Sequence, residues 1–426
     1  MQTLAWREAH GQHARRRAWW KRWWAILGVV VLVCAGAGVA TAATLRAQHN
    51  AHVVAMRKAA AARAAARAAA ESRLAAAITI SPAAGTSGVA LDASVTVGTA
   101  LGTLASVRVV GPQGTPVPGT LAAGGQSWKS SGPLRPSTSY EVTASVSGQG
   151  GLSAKSATHF TTLTPTARVE ATIAPSDGLT VGVGQPIVVK FDHYVHTDAA
   201  QAAVLSHFTV TESDPVPGGW HWFSLDELHF RPESYWPTGE KITVTANLDG
   251  WDAGGGNWGS GTVTSQFTVG DSHISVANLQ THEMTVSDNG KAIATYPISA
   301  GRTQYPTMGG IHIVMDREHV VRMDSATVGI PVNSPNGYDE LVYNDVHISD
   351  SGEYVHDAPW SVGAQGNTNV SHGCVNLSPT DSLAFFNFSR VGDIVEVVGS
   401  PRPPAYGDHG VMDWSTPWSE WTPGTV

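Results

Sequence analysis

The chain has 426 residues, with 45 glycines, 24 prolines, only 14% charged residues and a formal net charge of -8. It is too long for one ordinary core, and this turn-rich composition suits short strands better than a helical protein. The charge balance gives no footprint for nucleic acid, and the histidines are scattered without ligand spacing: His282-Glu283-Met284 lacks the second histidine that a helical zinc motif requires, so no metal is called for.

Residues 25–45 form an uncharged run of about 20 residues, the length a bilayer-spanning helix needs. Arg15, Arg16, Arg17, Lys21 and Arg22 precede it. The positive-inside rule then keeps the N-terminus in the cytoplasm and exports the chain beyond Leu45. Trp19, Trp20, Trp23 and Trp24 stand where interfacial aromatics sit. A cleaved signal peptide ending at Ala40-Thr41-Ala42 is the rival reading; the run is longer than a usual signal core, which favours a retained anchor over residues 1–45. A lipoprotein is disfavoured, because Val33 precedes Cys34 where a small residue is expected. Residues 46–77 are Ala-rich with interspersed Arg, and alanine is the best helix former. Lacking a broad stripe of large apolar side chains, they predict a solvated helical stalk.

From Ile78 short strand-like runs alternate with Gly/Pro turns: Ser94-Val95-Thr96-Val97, Ser106-Val107-Arg108-Val109 and Tyr140-Glu141-Val142-Thr143-Ala144. That texture over residues 78–165 predicts a small immunoglobulin-like sandwich. A second such unit, over 166–270, contains Ile187-Val188-Val189-Lys190-Phe191, Phe208-Thr209-Val210 and Ile242-Thr243-Val244-Thr245. Both close on a similar strand, Thr158-His159-Phe160-Thr161 and Ser265-Gln266-Phe267-Thr268, which hints at a tandem repeat. Trp220, Trp222, Trp236, Trp251 and Trp258 make the second unit aromatic; core or interdomain packing is favoured over a sugar-stacking platform.

A third, β-rich domain spans 271–400. Met284-Thr285-Val286 and Ala292-Ile293-Ala294-Thr295-Tyr296 flank the Asn289-Gly290 turn of a hairpin. Ser378-Pro379-Thr380-Asp381 reads as a helix start, with Ser as cap and Pro in the first turn, and Ile394-Val395-Glu396-Val397-Val398 as a later strand. A tail over 401–426, with Trp414, Trp418 and Trp421, is expected to lie back on a domain surface. The predicted fold class is therefore mainly β: two immunoglobulin-like sandwiches, then a β-rich domain with at least one packed helix, behind an N-terminal transmembrane helix.

The chain has two cysteines, Cys34 in the apolar run and Cys374 far downstream. An exported chain with one unpaired thiol in its C-terminal half needs a chemical explanation. The segments His356-Asp357-Ala358-Pro359-Trp360 and Ser371-His372-Gly373-Cys374-Val375-Asn376 supply one. A thiol attacks a carbonyl only with help from a base or a positive neighbour, and an imidazole titrates in the right range. His356 and His372 both qualify. Gly373 removes bulk where a substrate approaches, the main-chain N–H groups of Gly373 and Cys374 are candidates to face an oxyanion, and Asn376 is a candidate loop anchor.

A histidine, fourteen intervening residues and then S-H-G-C-x-N resembles the signature of YkuD-type L,D-transpeptidases. The resemblance extends through Tyr296-Pro297-Ile298-Ser299-Ala300-Gly301, Pro306-Thr307, Pro331-Val332-Asn333-Ser334, Asn336-Gly337-Tyr338 and Ala358-Pro359-Trp360-Ser361. It is strongest to actinobacterial members with a membrane anchor, two immunoglobulin-like modules and a Trp-containing C-terminal extension. The resemblance implies that Cys374 is the acyl-accepting nucleophile and His356 its base, with His372 and Gly373 shaping the catalytic loop. Tyr338 matches a flap tyrosine whose hydroxyl assists in the oxyanion region, Met323 a flap methionine that contacts substrate, Ser371 the family's Ser/Thr position, and Asn376 a positioning residue. Asp357 departs from the Ser or Ala frequent after the base. Its main-chain carbonyl would serve as the family's third member; its side chain is expected in solvent, although near His356 it would raise the imidazole's pKa.

The reaction so implied starts with attack of the thiolate on the amide between diaminopimelate and the terminal D-Ala of a peptidoglycan tetrapeptide stem. D-Ala leaves a thioester, which the side-chain amine of a second stem resolves into a cross-link between two diaminopimelate residues. It needs no cofactor. Partners would be peptidoglycan stem peptides, carbapenem-type β-lactams as inhibitors, and the membrane through the N-terminal helix, with the catalytic domain on the cell-wall side. The alternatives are an L,D-carboxypeptidase, in which water resolves the thioester, and a non-catalytic wall-binding scaffold. NlpC/P60-type peptidases place the cysteine before the histidine, the reverse of the order here. Sortases share the order of His356 and Cys374 but use a TLxTC-like strand and a downstream Arg that this context lacks.

Overall fold

The computed structural model describes residues 9–421, apart from the side chains of residues 9–22, 30–31 and 33–40. It opens on one helix, Ala9–Ala76. Among the described residues no helix is long and apolar enough to cross a membrane. About half of the apolar run expected to span, with Cys34 and the Arg/Trp cluster before it up to Arg22, falls outside the described side chains. The end of this helix is not a free stalk. Leu74 is buried in the core of the first sandwich, and Arg67 donates to the Gly151 carbonyl at 3.0 Å. One large apolar residue in an Ala-rich helix is enough to dock it.

That sandwich pairs a sheet ordered Ile78–Ser81, Thr96–Thr99, Ser127–Ser130, Gly119–Leu121 with a sheet ordered Thr103–Val110, Ser139–Ser147, Ser153–Thr161. Period-two burial along Ser139–Ser147 directs Tyr140, Val142, Ala144 and Val146 inward, where Tyr140 stacks on Phe160. The next strands form two further four-stranded sheets, ordered Gly218–Trp222, Glu227–Pro232, Ile187–Phe191, Ala171–Ala174 and Thr180–Val181, Thr262–Val269, Lys241–Asn247, Phe208–Glu212. Trp236 and Trp251 are fully buried here, and their indole N–H groups donate to the carbonyls of Gln185 and Ala200. Trp222 and Trp258 are buried as well, so these side chains pack instead of offering a stacking platform. A helix not foreseen, Asp198–Val204, starts at Thr197, whose hydroxyl accepts from the Ala200 N–H.

The C-terminal part has a five-stranded sheet, ordered Lys291–Pro297, Glu283–Asp288, His273–Asn278, Ile394–Val398, Gly310–Ile313, and a four-stranded one, ordered Asp316–Asp324, Asp339–Ser349, Glu353–Asp357, Val375–Leu377. The expected hairpin turn has Asn289 and Gly290 both at positive φ, 48° and 77°. Helix Pro379–Phe388 begins as expected, with the Ser378 hydroxyl accepting from the Asp381 N–H at 3.2 Å, and inserts Phe385 and Phe386 into the core. Met284, Ile298, Val346, Val355, Val375 and Val395 fill that core, each burial contributing roughly 1.5–3 kcal/mol.

The second sandwich and this C-terminal part share a core, since Ile313, Ile394 and Trp414 pack with the tryptophans of the sandwich. Gly182 and Gly184 donate to the carbonyls of Val391 and Gly392, and a Cβ on Gly182 would stand 2.2 Å from the Asp393 nitrogen. The tail folds back as helices His409–Ser415 and Trp418–Trp421. Trp414 and Trp421 donate to Gly184 and Gly219 of the sandwich, and the Arg231 guanidinium lies 4.4 Å from the Trp421 ring centre.

Candidate active site

Strands Glu353–Asp357 and Val375–Leu377 run parallel, with His356 opposite Asn376. This register brings the histidine and the end of the Ser371–Asn376 loop to one edge of the sheet. Strands Asp316–Asp324 and Asp339–Ser349 extend over them as a flap, with Met323 paired to Glu340. Between flap and loop lies a cleft of about 260 Å³ lined by Cys374, His356, His372, Tyr338 and Met323, among others. Of the candidate site residues, all line it except Gly373, which is buried next to Cys374 in the chain; Asp357 also lies outside the lining.

His356 is 5% exposed, and its Nδ1–H donates to the Asp357 carbonyl at 2.8 Å. A carbonyl only accepts, so Nδ1 carries the proton and Nε2 keeps a lone pair. Burial pulls the imidazole down to about 4, against that hydrogen bond. The Asp357 carboxylate does not pair with the ring: it is half-buried, one oxygen lacks a partner, and burial raises its pKa. Cys374 is half-buried and donates weakly to the Gly352 carbonyl at 3.8 Å. Burial, reinforced by the nearby carboxylates of Glu353 and Asp345, pushes the thiol up to about 12. The resting pair is therefore a neutral thiol and a neutral imidazole, not an ion pair.

His372 has a different task. Its Nε2 accepts from the Arg302 guanidinium at 2.6 Å, and burial with the Arg302 charge lowers its pKa. That lone pair is not available to a thiol. Arg302 also donates to the Asn336 side chain, and the His372 ring sits 4.9 Å from that of Tyr338, so His372 ties the loop to the flap.

The loop is held from below. Ser371 accepts from the Gly373 N–H and donates to the Cys374 carbonyl at 2.6 Å. The Gly373 N–H is thus turned inward and does not face an oxyanion, contrary to expectation. Gly373 has φ +140°, a conformation that disfavours a side chain, and a Cβ there would meet the Glu353 carboxylate at 3.4 Å. Thr307 donates to the Gly373 carbonyl at 2.7 Å. Asn376 is buried and donates to Ser361 at 3.0 Å, an anchoring contact. Burial raises Tyr338 to about 12, so its hydroxyl is a protonated donor in the cleft that contains the sulfur.

Arg302, Glu340, Thr307, Glu353 and Arg402 were not singled out as site residues. Thr307 lay within a recognised segment, and Glu340 alternates with Val342 along a strand, which is a faint signal. Arg402 carried none, because its contact with Glu353 spans 49 residues.

A thiol and a singly protonated imidazole on one cleft, in a β-rich domain, equip a cysteine acyl-transfer enzyme. Residues 272–397 match the YkuD family, described as the L,D-transpeptidase catalytic domain, and residues 86–252 match a bacterial Ig domain. Over 349 residues the chain is 40% identical to L,D-transpeptidase 2 of Mycobacterium tuberculosis, covering 82% of this chain and 85% of that protein. L,D-transpeptidase 5 of the same organism is 32% identical over 302 residues, 68% of this chain and 63% of the relative. Among solved structures, that of the LD transpeptidase LdtMt1 in complex with imipenem shares 37% identity, covers 55% of this chain and 100% of its own, and superposes with a TM-score of 0.49. The chain belongs to the L,D-transpeptidase family, and its enzymatic activity is that of an L,D-transpeptidase.

Proposed function

We propose that the chain cross-links peptidoglycan from the outer face of the cell membrane, with Cys374 as nucleophile and His356 as general base. The observation that carries this reading is the His356 ring: its Nδ1–H is held by a carbonyl, and its free Nε2 belongs to the cleft that contains the sulfur. The thiol proton passes to Nε2 as sulfur attacks the amide carbonyl before the terminal D-Ala. The Tyr338 hydroxyl donates to the developing oxyanion. His356 returns the proton to the leaving D-Ala nitrogen, leaving a thioester. The amine of a second stem then attacks that carbonyl, the C–S bond breaks, and the thiol is restored. Met323, Ser371 and Asn376 shape the cleft, while His372 and Gly373 hold the loop.

In this reading residues 25–45 anchor the chain, the helix after them and the two sandwiches (78–165 and 166–270) act as a spacer, and carbapenems acylate the same sulfur within the catalytic domain at 271–400. Mass spectrometry of the intact protein after carbapenem exposure tests it. One adduct mapped to Cys374 and absent from Cys374→Ala is expected; labelling elsewhere, or none, would overturn it and favour a wall-binding scaffold.

A further inference from the structure

The flap strand Asp339–Ser349 is two-faced. Leu341 and Tyr343 are 56% and 52% exposed on its outer side, whereas Glu340 and Val342 line the cleft, alongside the Met323 that pairs with Glu340. Glu340 is the one carboxylate of that lining. Its other walls are the apolar Met323, Val342, Trp360 and Val370, Tyr338, Ser371 and Asn376, and two imidazoles whose pKa values are lowered. Glu340 is exposed as a residue, yet the cleft desolvates its carboxylate in part and so raises its pKa, and no cation or donor among the described residues pairs with it. A part-desolvated carboxylate facing a cleft without a cation is a receptor for one.

Resting on the transpeptidase reading above, we infer that Glu340 is the docking point for the ammonium group of the acceptor stem, and so decides whether amine or water resolves the thioester. A primary ammonium must shed two protons to become an amide. The first passes to the Glu340 carboxylate, giving the free amine that attacks the thioester carbonyl. The second passes to His356 Nε2 and on to sulfur as the C–S bond breaks, and Glu340 then releases its proton to solvent. Water carries no charge, so Glu340 can offer it a hydrogen bond but not the ion pair that draws in an ammonium.

The test is the ratio of cross-linked dimer to hydrolysed tripeptide formed by the full chain from tetrapeptide stems, compared between the native protein, Glu340→Gln and Glu340→Asp. Both products drain one thioester pool, so the ratio does not depend on how fast the thioester forms. Loss of a charge-assisted contact lowers the ratio about tenfold in Glu340→Gln, with partial retention in Glu340→Asp. An unchanged ratio in Glu340→Gln overturns the inference. Failure of the native protein to release D-Ala at all overturns instead the transpeptidase reading. If Glu340→Gln does not fold, salt titration of the native protein decides: the acceptor KM rises several-fold as added salt screens the attraction, and a salt-independent KM overturns the inference.

Discussion

A cysteine enzyme can keep its nucleophile as a thiolate paired with imidazolium, or as a neutral thiol awaiting a base. The residues around Cys374 impose the second state. Among the described residues no positive group offsets burial and the Glu353 and Asp345 charges, which act on the thiol in the same direction. With His356 held at about 4, the proposed roles couple deprotonation of the thiol to its attack. Cys374→Ala is expected to abolish adduct formation with the fold intact. His356→Ala is expected to slow acylation by about 10²-fold or more, through loss of general-base help. Nε2 works as a base only while unprotonated, so the acylation rate should fall as pH drops through about 4, not through the ordinary 6.5. Stopped-flow acylation across that range checks the sign; an acid limb near 6.5 would restore the ion pair.

At the scale of elements, the turn that carries Cys374 is fastened by a segment beyond the last strand. Ser400 donates to the Thr307 carbonyl, and Thr307 in turn donates to Gly373. Arg402 reaches the Glu353 carboxylate at 2.7 Å, which also accepts from the Met308 N–H. Burial raises Glu353 to about 7, and Arg402 counters that shift. Removing Arg402 leaves a buried carboxylate without its cation, with only the Met308 N–H as donor, beside the turn at Gly373. Arg402→Gln is therefore expected to slow acylation about tenfold, at a cost of roughly 1.4 kcal/mol. Adding Glu353→Gln should recover most of it, because the second change removes the stranded charge. Acylation rates of the three variants check this; a double variant slower than the single one would show that the ion pair acts only as a brace.

Over the whole molecule, the same tail locks the sandwich to the C-terminal part through a buried charge network. His229, 1% exposed, bonds Glu227 and Asp413 at 2.8 Å each, and His409 bridges to Asp350 at 3.0 Å. Burial alone would lower His229, but the two carboxylates outweigh it and hold it near 9. A raised folded pKa means this stabilisation is complete below the unfolded value of 6.5 and is lost as pH rises through about 9. Denaturant midpoints read by tryptophan fluorescence should fall over that interval. Asp413→Asn should destabilise the junction by about 3 kcal/mol and flatten the alkaline decline. An unaltered pH profile in that variant would assign the linkage elsewhere.

Local pattern and chemistry were legible in the residues. The strand runs at Ile187–Phe191 and Ile394–Val398, the Asn289-Gly290 turn and the Ser378 cap all formed where alternation, turn chemistry and capping direct, since each depends on neighbours within a few positions. The S-H-G-C-x-N segment and its upstream histidine likewise pointed to residues that line one cleft, because few residue types can serve as nucleophile and base. Contacts across long stretches of chain were decided only by folding. They include the docking of Leu74, the engagement of His372 by Arg302, the inward turn of the Gly373 N–H, the Arg402–Glu353 brace and the clustering of Glu227, His229 and Asp413. Protonation states belong with these contacts: burial and distant charges shift a pKa, and neither can be read from the residues next in line.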